Sequence, residues 1–356
     1  MFQESMSIKV PKNNGEKVII ITKKLELINK ELKIVRDEDY VYIPILQYPT
    51  KKESEEIEKA VPNYCLSTHT FTERKSATRT FVELLDDKLS SKLLSNLPRS
   101  IDFVGDIAII EIPSELSAYD KIIGDAILKL YKNVRTVLAK AGTVSGVYRL
   151  REYKVIAGER ATETVHKEYG CHYRVDLTRA YFSPRLSYEH NRVASLVEEG
   201  ETIVDLFSGI GPFAILIAKT CEKVEVYTID SNSDAVRFLK ENIMLNKVLG
   251  QVHPILGDAR KVVDKKLTGV ANRVIMNLPG KAIFFMDVAC KAIKPTGGVI
   301  HFYSFINSSK KLRDIKTNFE YEIEKYGRKI VQILNARLVR STAPHEWQAV
   351  LDVEIC

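Results

Sequence analysis

Hydrophobic and polar positions alternate differently in the two halves of the chain. From about residue 185, short apolar runs alternate with amphipathic helical patterns, and these runs are "TIVDLFS", "EVYTIDS", "VHPILGD", "RVIMNLP" and "GGVIHFYSF". Helical spacing in "PFAILIAKT" and "SDAVRFLKENIMLNK" fills the gaps. Strands that alternate with helices are typical of a parallel sheet covered on both faces. We therefore predict an α/β domain, to which "IVQILNARLVRST" and "EWQAVLDVEI" add an antiparallel pair at one edge of the sheet.

The first 180 residues mix helices and strands without regular alternation. "LKIVRDEDYVYIPI" predicts two short strands around a turn at Arg36–Asp39, and residues 50–63 predict a surface helix or a charged connector. We predict a small α+β domain at residues 1–68, a second α+β domain at 69–180 and the α/β domain at 181–356.

Three patterns in the second domain predict individual elements. "TFVELLDDKLSSKLLSNLP" predicts an amphipathic helix that ends at Pro98, and "IDFVGDIAIIEIP" predicts one buried strand. "SAYDKIIGDAILKLYKNV" predicts a helix capped by Ser117 or Asp120. Two β-rich stretches follow, "TVLAKAGTVSGVYRLREYKVIAG" and "ATETVHKEYGCHYRVDLTRAYFSPR".

Composition narrows the class of protein. Hydrophobic residues make up 45% of the 356 residues, which is enough to build cores. No run of about 20 apolar residues predicts a membrane span, and "MFQESMSIKVPKNNGEK" lacks the apolar core of a signal peptide. The five cysteines form no CxxC pair, so they indicate neither a zinc site nor a disulfide framework. We expect a cytoplasmic protein that holds no metal and contacts no membrane.

Positive charge is concentrated in one segment. Residues 129–192 contain 13 Lys and Arg against 6 Asp and Glu, and this excess equals the net charge of +7 of the whole chain. An excess confined in this way indicates a surface that faces a polyanion. A solvated basic face without a partner is the alternative.

A glycine turn follows the first strand of the α/β domain. In "TIVDLFSGIGPF" the strand ends at Asp205, and Gly209 and Gly211 then let backbone N–H groups approach a ligand at the start of a helix. Asp230 ends the second strand, 25 residues after Asp205, where a carboxylate can accept both hydroxyls of a ribose. Asp258 ends the third strand. The layout predicts a nucleotide-like cofactor at the carboxyl ends of the strands.

Two cofactors suit this layout. A dinucleotide site needs a third glycine, whereas Ala214 stands at that position. The Asp205 carboxylate suits an ammonium or sulfonium group better than a pyrophosphate. We therefore predict S-adenosylmethionine in preference to NAD. The remaining alternative is that Asp205 only caps the end of its strand.

The same segments resemble a known family. "VDLFSGIGPF", "IDSNSDAVRFLKENIMLNK" and "VIMNLP" are similar to the class I (Rossmann-like) methyltransferase core of the Trm5-type family, the archaeal and eukaryotic tRNA (guanine-N1)-methyltransferases that act at position 37. "YRLREYKVIAGERATETVHKEYG", "VDLTRAYFSPRLSYEHNRV" and "GGVIHFYSF" match the same family. The resemblance covers about residues 100–356 and, weakly, the N-terminal domain. It implies an α/β methyltransferase core that uses S-adenosylmethionine, preceded by two smaller α+β domains that bind RNA.

The resemblance also implies roles for individual residues. Glu189 matches the general base, Arg149 the guanidinium that faces guanine O6, and Tyr181 the residue that holds the base or the methyl donor. Together with the glycine turn, the cofactor-binding set is Asp205, Phe207, Gly209, Gly211, Asp230, Asp258, Asn277 and Pro279. The substrate-binding set is Arg151, Arg185, Asn277 and Lys281, and Arg151 is expected on the same strand face as Arg149.

One position departs from the family pattern. The family usually has a lysine directly after "NLP", whereas here Gly280 intervenes and Lys281 follows. The departure shifts a positive charge beside the pocket for the target base. It leaves open whether guanine alone or also a tricyclic base of the wyosine pathway is methylated.

Methylation at guanine N1 requires the enzyme to remove a proton. N1 is protonated at neutral pH, and a carboxylate within hydrogen-bond reach can take that proton. Negative charge then builds on O6, where an arginine stabilises the transition state. Glu189 and Arg149 supply these groups in the implied assignment, and a solvated helix carboxylate is the alternative for Glu189. We expect His166, His172 and His190 to be packed or surface residues and not proton carriers.

The implied partner is a folded tRNA. The enzyme has to extract a purine from the anticodon loop, which costs about a few kcal/mol of unstacking. Residues 129–192 would neutralise nearby phosphates, and the N-terminal domain would check the overall L shape. We expect a monomer. Two rivals stay open, namely a 3-amino-3-carboxypropyl transferase with the same cofactor and a non-enzymatic RNA-binding protein with a decayed methyltransferase core.

Overall fold

The computed structural model describes residues 2–72, 81–98, 100–142, 146, 148–307, 312–343 and 345–356. The chain divides into two compact units, Met1–Asp87 and Lys88–Cys356. Within the described ranges, no helix combines the length and the apolar character needed to cross a membrane. The domain boundaries predicted at residues 68 and 180 stay predictions.

The first unit contains β1 (Phe2–Pro11), α1 (Gly15–Lys24), β2 (Val35–Arg36), β3 (Tyr40–Pro44), α2 (Lys51–Ala60) and β4 (Cys65–Thr72). Its strands form an antiparallel sheet in the order β2-β3-β1-β4. The two strands predicted around the turn at Arg36–Asp39 are confirmed. The surface-helix alternative for residues 50–63 is also confirmed, and a capping box between Thr50 and Glu53 begins this helix.

The second unit starts with α3 (Ser91–Ser95), β5 (Ile101–Val104), β6 (Ile107–Ile110), α4 (Asp120–Leu130), β7 (Thr136–Lys140), β8 (Tyr153–Gly158), β9 (Glu163–Glu168) and β10 (Cys171–Asp176). Strands β5 to β8 form a sheet in chain order, and β9 pairs with β10 in a separate hairpin. The two predicted β-rich stretches correspond to β7 with β8 and to β9 with β10, although residues 143–145 and 147 lie outside the described ranges.

Three expectations for this region were wrong. The long helix ending at Pro98 is replaced by a turn over residues 81–88 and the short α3, while its first residue, Thr80, lies outside the described ranges. The single buried strand is a hairpin, because the chain reverses at Gly105, whose φ of +55° suits glycine. Helix α4 has Tyr119 at its N-cap and no side-chain cap bond, so neither Ser117 nor Asp120 caps it.

The remaining elements form the predicted α/β domain. Its strands are β11 (Thr202–Asp205), β12 (Glu225–Asp230), β13 (Val252–Leu256), β14 (Arg273–Met276), β15 (Gly298–Asn307), β16 (Ile330–Ala343) and β17 (Glu346–Ile355). Its helices are α5 (Ser187–Ala194), α6 (Pro212–Thr220), α7 (Ser233–Asn246), α8 (Ala259–Val262), α9 (Met286–Ala292) and α10 (Leu312–Lys325).

The seven strands lie in the order β13-β12-β11-β14-β15-β17-β16. The first five are parallel, and β17 inserts antiparallel between β15 and β16. The predicted parallel sheet and its antiparallel pair at one edge are therefore confirmed. This is the class I methyltransferase arrangement, with the strand order reversing between β11 and β14.

Alternate residues of the parallel strands supply two apolar clusters. Ile203 and Ile275 belong to the cluster on one face of the sheet, whereas Val204 and Val274 belong to the cluster on the other. A strand buried on both faces has to be apolar throughout, which explains the continuous runs in the sequence. The polar residues of these strands lie at the carboxyl ends of the strands, where a ligand can reach them.

Candidate active site

A cavity of about 370 Å³ lies at the carboxyl ends of β11, β12, β13 and β14. Each of these strand ends or the loop after it contributes to the lining. The lining residues are Tyr148, Arg149, Tyr181, Leu206, Phe207, Gly209, Asp230, Ser231, Asn232, Ala235, Gly257, Asp258, Ala259, Asn277, Leu278, Gly280, Lys281 and Phe285. The structure thus brings together most of the predicted cofactor-binding residues in one space, whereas Asp205, Gly211 and Pro279 lie outside this lining.

The two glycines of the turn do different things. Gly209 has a φ of +54°, lines the cavity, and donates its backbone N–H to Oδ2 of Asp230 at 2.8 Å. Gly211 has a φ of +88° and is the N-cap of α6. A Cβ on Gly211 would approach Cδ1 of Leu239 to 2.3 Å. Gly211 is therefore required for backbone conformation and for helix packing.

Two aspartates of the lining are fixed by backbone groups. Asp230 accepts N–H bonds from Gly209 and, at 2.8 Å, from Asn232, while burial raises the pKa of its carboxyl. Asp258 is the N-cap of α8 and accepts the N–H of Lys261 at 3.2 Å. Both carboxylates are held rigidly at the cavity wall, which suits the recognition of ligand hydroxyl or amino groups.

The Asp205 carboxylate is buried and only partly satisfied. One oxygen accepts the N–H of Phe207 at 3.3 Å, while Oδ2 has no hydrogen-bond partner among the described residues. Burial, aided by the negative charge of Asp230, raises the pKa of Asp205 to about 7. A buried oxygen without a partner is costly, and a cationic ligand group nearby would relieve that cost. Asp205 directly precedes Leu206 and Phe207 of the lining, so a cofactor with a positive charge at this end of the cavity fits the residues present.

Arg149 and Tyr181 line the same cavity and lie close to each other. The Arg149 guanidinium carbon lies 5.6 Å from the centre of the Tyr181 ring and 5.4 Å from that of Phe305. Arg149 has a φ of +55°, an uncommon conformation for a residue with a side chain. The expectation that Arg149 and Arg151 share a strand face was wrong, because both precede β8.

A second cavity of about 320 Å³ adjoins the first and shares Arg149 and Tyr181 with it. Its charged lining is mostly basic and consists of Lys140, Arg149, Arg151, Arg185 and Arg340, with Asp102 and Glu346. Arg151 donates to the carbonyl of Gly142 at 2.9 Å, and Arg185 donates to Asp102 at 2.5 Å. The predicted substrate-binding residues are therefore divided between two cavities, with Asn277 and Lys281 in the first.

Glu189 lies in α5 as predicted, but it lines neither cavity. Its side chain is 1% exposed and forms ion pairs with Arg192 and Arg337. Tyr303 also donates to it, at 2.8 Å. Arg192 in turn pairs with Asp352 at 2.5 Å. The carboxylate thus sits in a buried cluster of charges, which accounts for its burial without a ligand.

Some site residues were missed from the sequence. Asn232, which caps α7, and the aromatic Tyr148 and Phe285 line the first cavity. A capping signal before a helix could have indicated Asn232, whereas nothing local marks the two aromatics. Of the three histidines, His190 is buried against Glu168 and His166 lies beside Phe182. Both are packed residues, and the absence of a proton-carrier role for the three stays a prediction.

Comparison with family models gives three matches along the chain. They are the tRNA methyltransferase 5 N-terminal domain at residues 7–53, the TYW2 N-terminal domain at 81–162, and the TRM5/TYW2 methyltransferase domain at 164–331. The tRNA (guanine(37)-N(1))-methyltransferase Trm5b of Pyrococcus abyssi is 38% identical over 99% of both chains. The chain belongs to the TRM5/TYW2 methyltransferase family.

Solved structures of the TRM5/TYW2 family have the same fold over the whole chain. Wild-type Trm5b from Pyrococcus abyssi matches with a TM-score of 0.74 and 35% identity, covering 99% of each chain. A complex of aTrm5 with tRNALeu matches with a TM-score of 0.71 and 32% identity, covering 99% of this chain and 100% of that one.

Family members with other named activities match a shorter part of the chain. The tRNA 4-demethylwyosine(37)-methyltransferase Taw21 of Saccharolobus solfataricus is 36% identical over 78% of this chain and 99% of its own. A tRNA(Phe) (4-demethylwyosine(37)-C(7)) aminocarboxypropyltransferase of Methanocaldococcus jannaschii is 34% identical over 70% of this chain and 96% of its own. Agreement over the full length therefore distinguishes the guanine-N1 relative from these two.

Proposed function

We infer that the chain is a tRNA methyltransferase that transfers a methyl group from S-adenosylmethionine to N1 of guanosine 37, next to the anticodon. The full-length similarity to a tRNA (guanine(37)-N(1))-methyltransferase carries this conclusion. The sheet has the class I methyltransferase strand order, and the cavity at the carboxyl ends of its parallel strands provides a site for the reaction. The chain methylates guanine and binds tRNA as its partner.

S-adenosylmethionine is the methyl donor, and its sulfonium supplies an activated methyl group. We propose that Asp230 accepts the ribose hydroxyls, that Asp258 and Phe207 contact the adenine, and that Asn277 and Pro279 shape the floor. Support comes from the positions of four of these residues in the cavity lining. The unpartnered Oδ2 of Asp205 supports an ammonium group nearby, since burial disfavours this carboxylate's charge unless a cation compensates it.

For the chemical step, we propose that Glu189 takes the N1 proton while Arg149 donates to guanine O6. Arg149 and Tyr181 line both cavities, so a base held between them would lie beside the methyl donor. Glu189 has to give up one ion-pair partner before it can act as a base. Arg337, whose side chain is 32% exposed against 14% for Arg192, is the more exposed of the two guanidinium partners. Catalytic contacts of this kind often form only in the substrate complex.

We propose that the basic second cavity binds phosphates next to the target nucleotide. Its Lys and Arg side chains include the predicted substrate residues Arg151 and Arg185, and their charge suits a polyanion. The first unit would check the L shape of the tRNA, in keeping with the family match at residues 7–53. The division at residues 68 and 180 and the cytoplasmic location remain predictions, the latter supported by five free cysteines.

We propose that the enzyme acts as a single copy. The matches to wyosine-pathway enzymes keep a tricyclic base as a second candidate substrate. They also define the product that would indicate aminocarboxypropyl transfer instead.

The test is a mass spectrum of nucleosides after the enzyme has acted on tRNA with guanosine or 4-demethylwyosine at position 37. A methylated guanosine is the expected product, and an aminocarboxypropyl adduct would contradict the assignment. Asp230→Ala should weaken the affinity for S-adenosylmethionine and leave the affinity for tRNA nearly unchanged, because the ribose loses its acceptor. Asp234→Ala, at the start of α7, is the matched control. Equal cofactor affinity for both variants, measured by calorimetry, would contradict the role of Asp230.

A further inference from the structure

A run of hydrogen bonds connects two residues of the cavity lining through the edge of the sheet. Arg340 of β16 donates to the hydroxyl of Tyr181 at 3.2 Å, to Oγ of Ser183 at 3.0 Å and to Oε1 of Gln348 at 3.1 Å. Gln348 of β17 then donates from Nε2 to Oδ1 of Asn277 at 3.2 Å. Gln348 is 1% exposed, so water does not compete for the two bonds of its side chain.

Arg340 determines which group donates and which accepts in each of these hydrogen bonds. An arginine side chain can only donate, so the Gln348 group that faces Arg340 has to be its carbonyl oxygen. The Gln348 amide nitrogen therefore faces Asn277 and meets the Asn277 carbonyl oxygen. This leaves the Asn277 amide nitrogen, with two N–H groups, for a ligand. By the same reasoning Tyr181 accepts from Arg340, and its own hydroxyl hydrogen is left to donate elsewhere.

The charge of Arg340 reinforces this polarity. Its three hydrogen bonds within the described residues all go to neutral groups. A guanidinium whose contacts are neutral polarises the groups it touches and favours negative charge nearby. Arg340 also lines the basic second cavity, directly beside Tyr181.

We propose that Arg340 and Gln348 are positioning residues for methyl transfer, which set Asn277 and Tyr181 as hydrogen-bond donors toward the bound purine. The inference rests on the proposed function, in which negative charge develops on the purine as N1 loses its proton. Donors fixed in advance stabilise that charge without reorganisation during the reaction. Neither positioning residue needs to contact the purine itself.

The decisive comparison is between Gln348→Glu and Gln348→Met. A glutamate at this position accepts from Arg340 but cannot donate to Asn277, so Asn277 has to turn its amide nitrogen away from the purine. Methionine removes both bonds and leaves Asn277 free to turn. We expect Gln348→Glu to lower the single-turnover methylation rate by about 10- to 100-fold, and Gln348→Met to lower it less. Gln332→Glu, the same change at an exposed position of β16, is the control.

Single-turnover rates at saturating tRNA and S-adenosylmethionine give the result, with cofactor affinity and melting temperature measured on each variant. A slower rate for glutamate than for methionine, with cofactor affinity near that of the parent, supports the proposal. Equal rates, a faster rate for glutamate, or a loss confined to affinity would overturn it. Arg340→Lys gives an independent measurement if Gln348→Glu does not fold, since lysine cannot hold three groups in one plane. A parental rate for Arg340→Lys would likewise overturn the proposal, whereas a parent protein that leaves guanosine 37 unmethylated refutes the proposed function itself.

Discussion

The Glu189 carboxylate accepts hydrogen bonds from the guanidinium of Arg192, one turn later in α5, at 2.9 and 3.1 Å. Arg192 simultaneously pairs with Asp352, so one guanidinium joins two buried carboxylates. Burial of this kind is tolerated only when each charge has partners. The base proposed for the reaction is therefore part of a structural cluster, and its two roles can be separated by experiment.

Glu189→Gln keeps the size of the side chain but cannot take a proton. We expect single-turnover methylation to fall by about 10²–10⁴-fold if Glu189 is the base. Affinities for cofactor and tRNA should change little, since the lost interaction forms only as the proton moves. Arg149→Ala should cost about 10²–10³-fold, and the double variant should lose less than the product of the two losses.

Glu201→Gln is the matched control for this measurement. Glu201 pairs with Arg273 at 2.9 Å within the same domain, and it lines neither cavity. A loss of ion pairing alone should reduce stability in both variants, whereas only Glu189→Gln should slow the chemistry. A rate for Glu189→Gln within a few-fold of the parent excludes Glu189 as the base.

Asp205 should make the ligand-free protein less stable as pH rises. Its pKa is raised to about 7 by burial, so between the unfolded value and pH 7 the folded protein holds a proton that the unfolded chain releases. Stability from this group is therefore present at low pH and is lost as pH rises through that window. Asp205→Asn removes the effect. The free energy of unfolding of this variant minus that of the parent should therefore be about 2–3 kcal/mol larger at pH 8 than at pH 5. Urea unfolding at the two pH values measures this, and a difference that does not change with pH would contradict the assignment.

Much of the fold was predictable because its signals are local, and the failures have identifiable physical causes. The strands β11 to β15 are apolar runs bounded by turn residues, and each was predicted. The prediction of a helix ending at Pro98 was wrong because packed turns can show the same apolar spacing. The hairpin was missed because only a single glycine, Gly105, marks its turn. Arg340 and Gln348 could not be assigned to the site, since only strand pairing far along the chain brings them to Tyr181 and Asn277.

Arg151→Ala should weaken tRNA binding in a salt-dependent way. Among the described residues, Arg151 donates a hydrogen bond to the carbonyl of Gly142, so its charge remains available to a phosphate. We expect the slope of the logarithm of the binding constant against the logarithm of salt concentration to fall by about 1. Arg237→Ala is the control, because Arg237 already pairs with Asp234 and Glu241 on α7. Parallel salt plots for Arg151→Ala and the parent would exclude a phosphate contact.

Removal of the first unit should separate tRNA selection from catalysis. The cut belongs after Asp87 and not near residue 65, because β4 pairs with β1 along most of its length. The fragment Lys88–Cys356 should fold, bind S-adenosylmethionine with parental affinity and methylate an anticodon stem-loop slowly. Its binding to intact tRNA should be weaker than that of the full chain. Equal losses on stem-loop and intact tRNA would contradict a role for the first unit in checking tRNA shape.

The insertion of β17 between β15 and β16 has a consequence for protein synthesis. Of the seven strands, β17 leaves the ribosome last, yet it occupies an interior position and carries Gln348 to the cavity. Until it emerges, β15 lacks its neighbour and Asn277 lacks its partner. Its pairing with β15 is non-local in sequence, and non-local pairing forms more slowly than local pairing. The pocket around Asn277 is therefore completed only after β17 has been synthesised and has paired between β15 and β16.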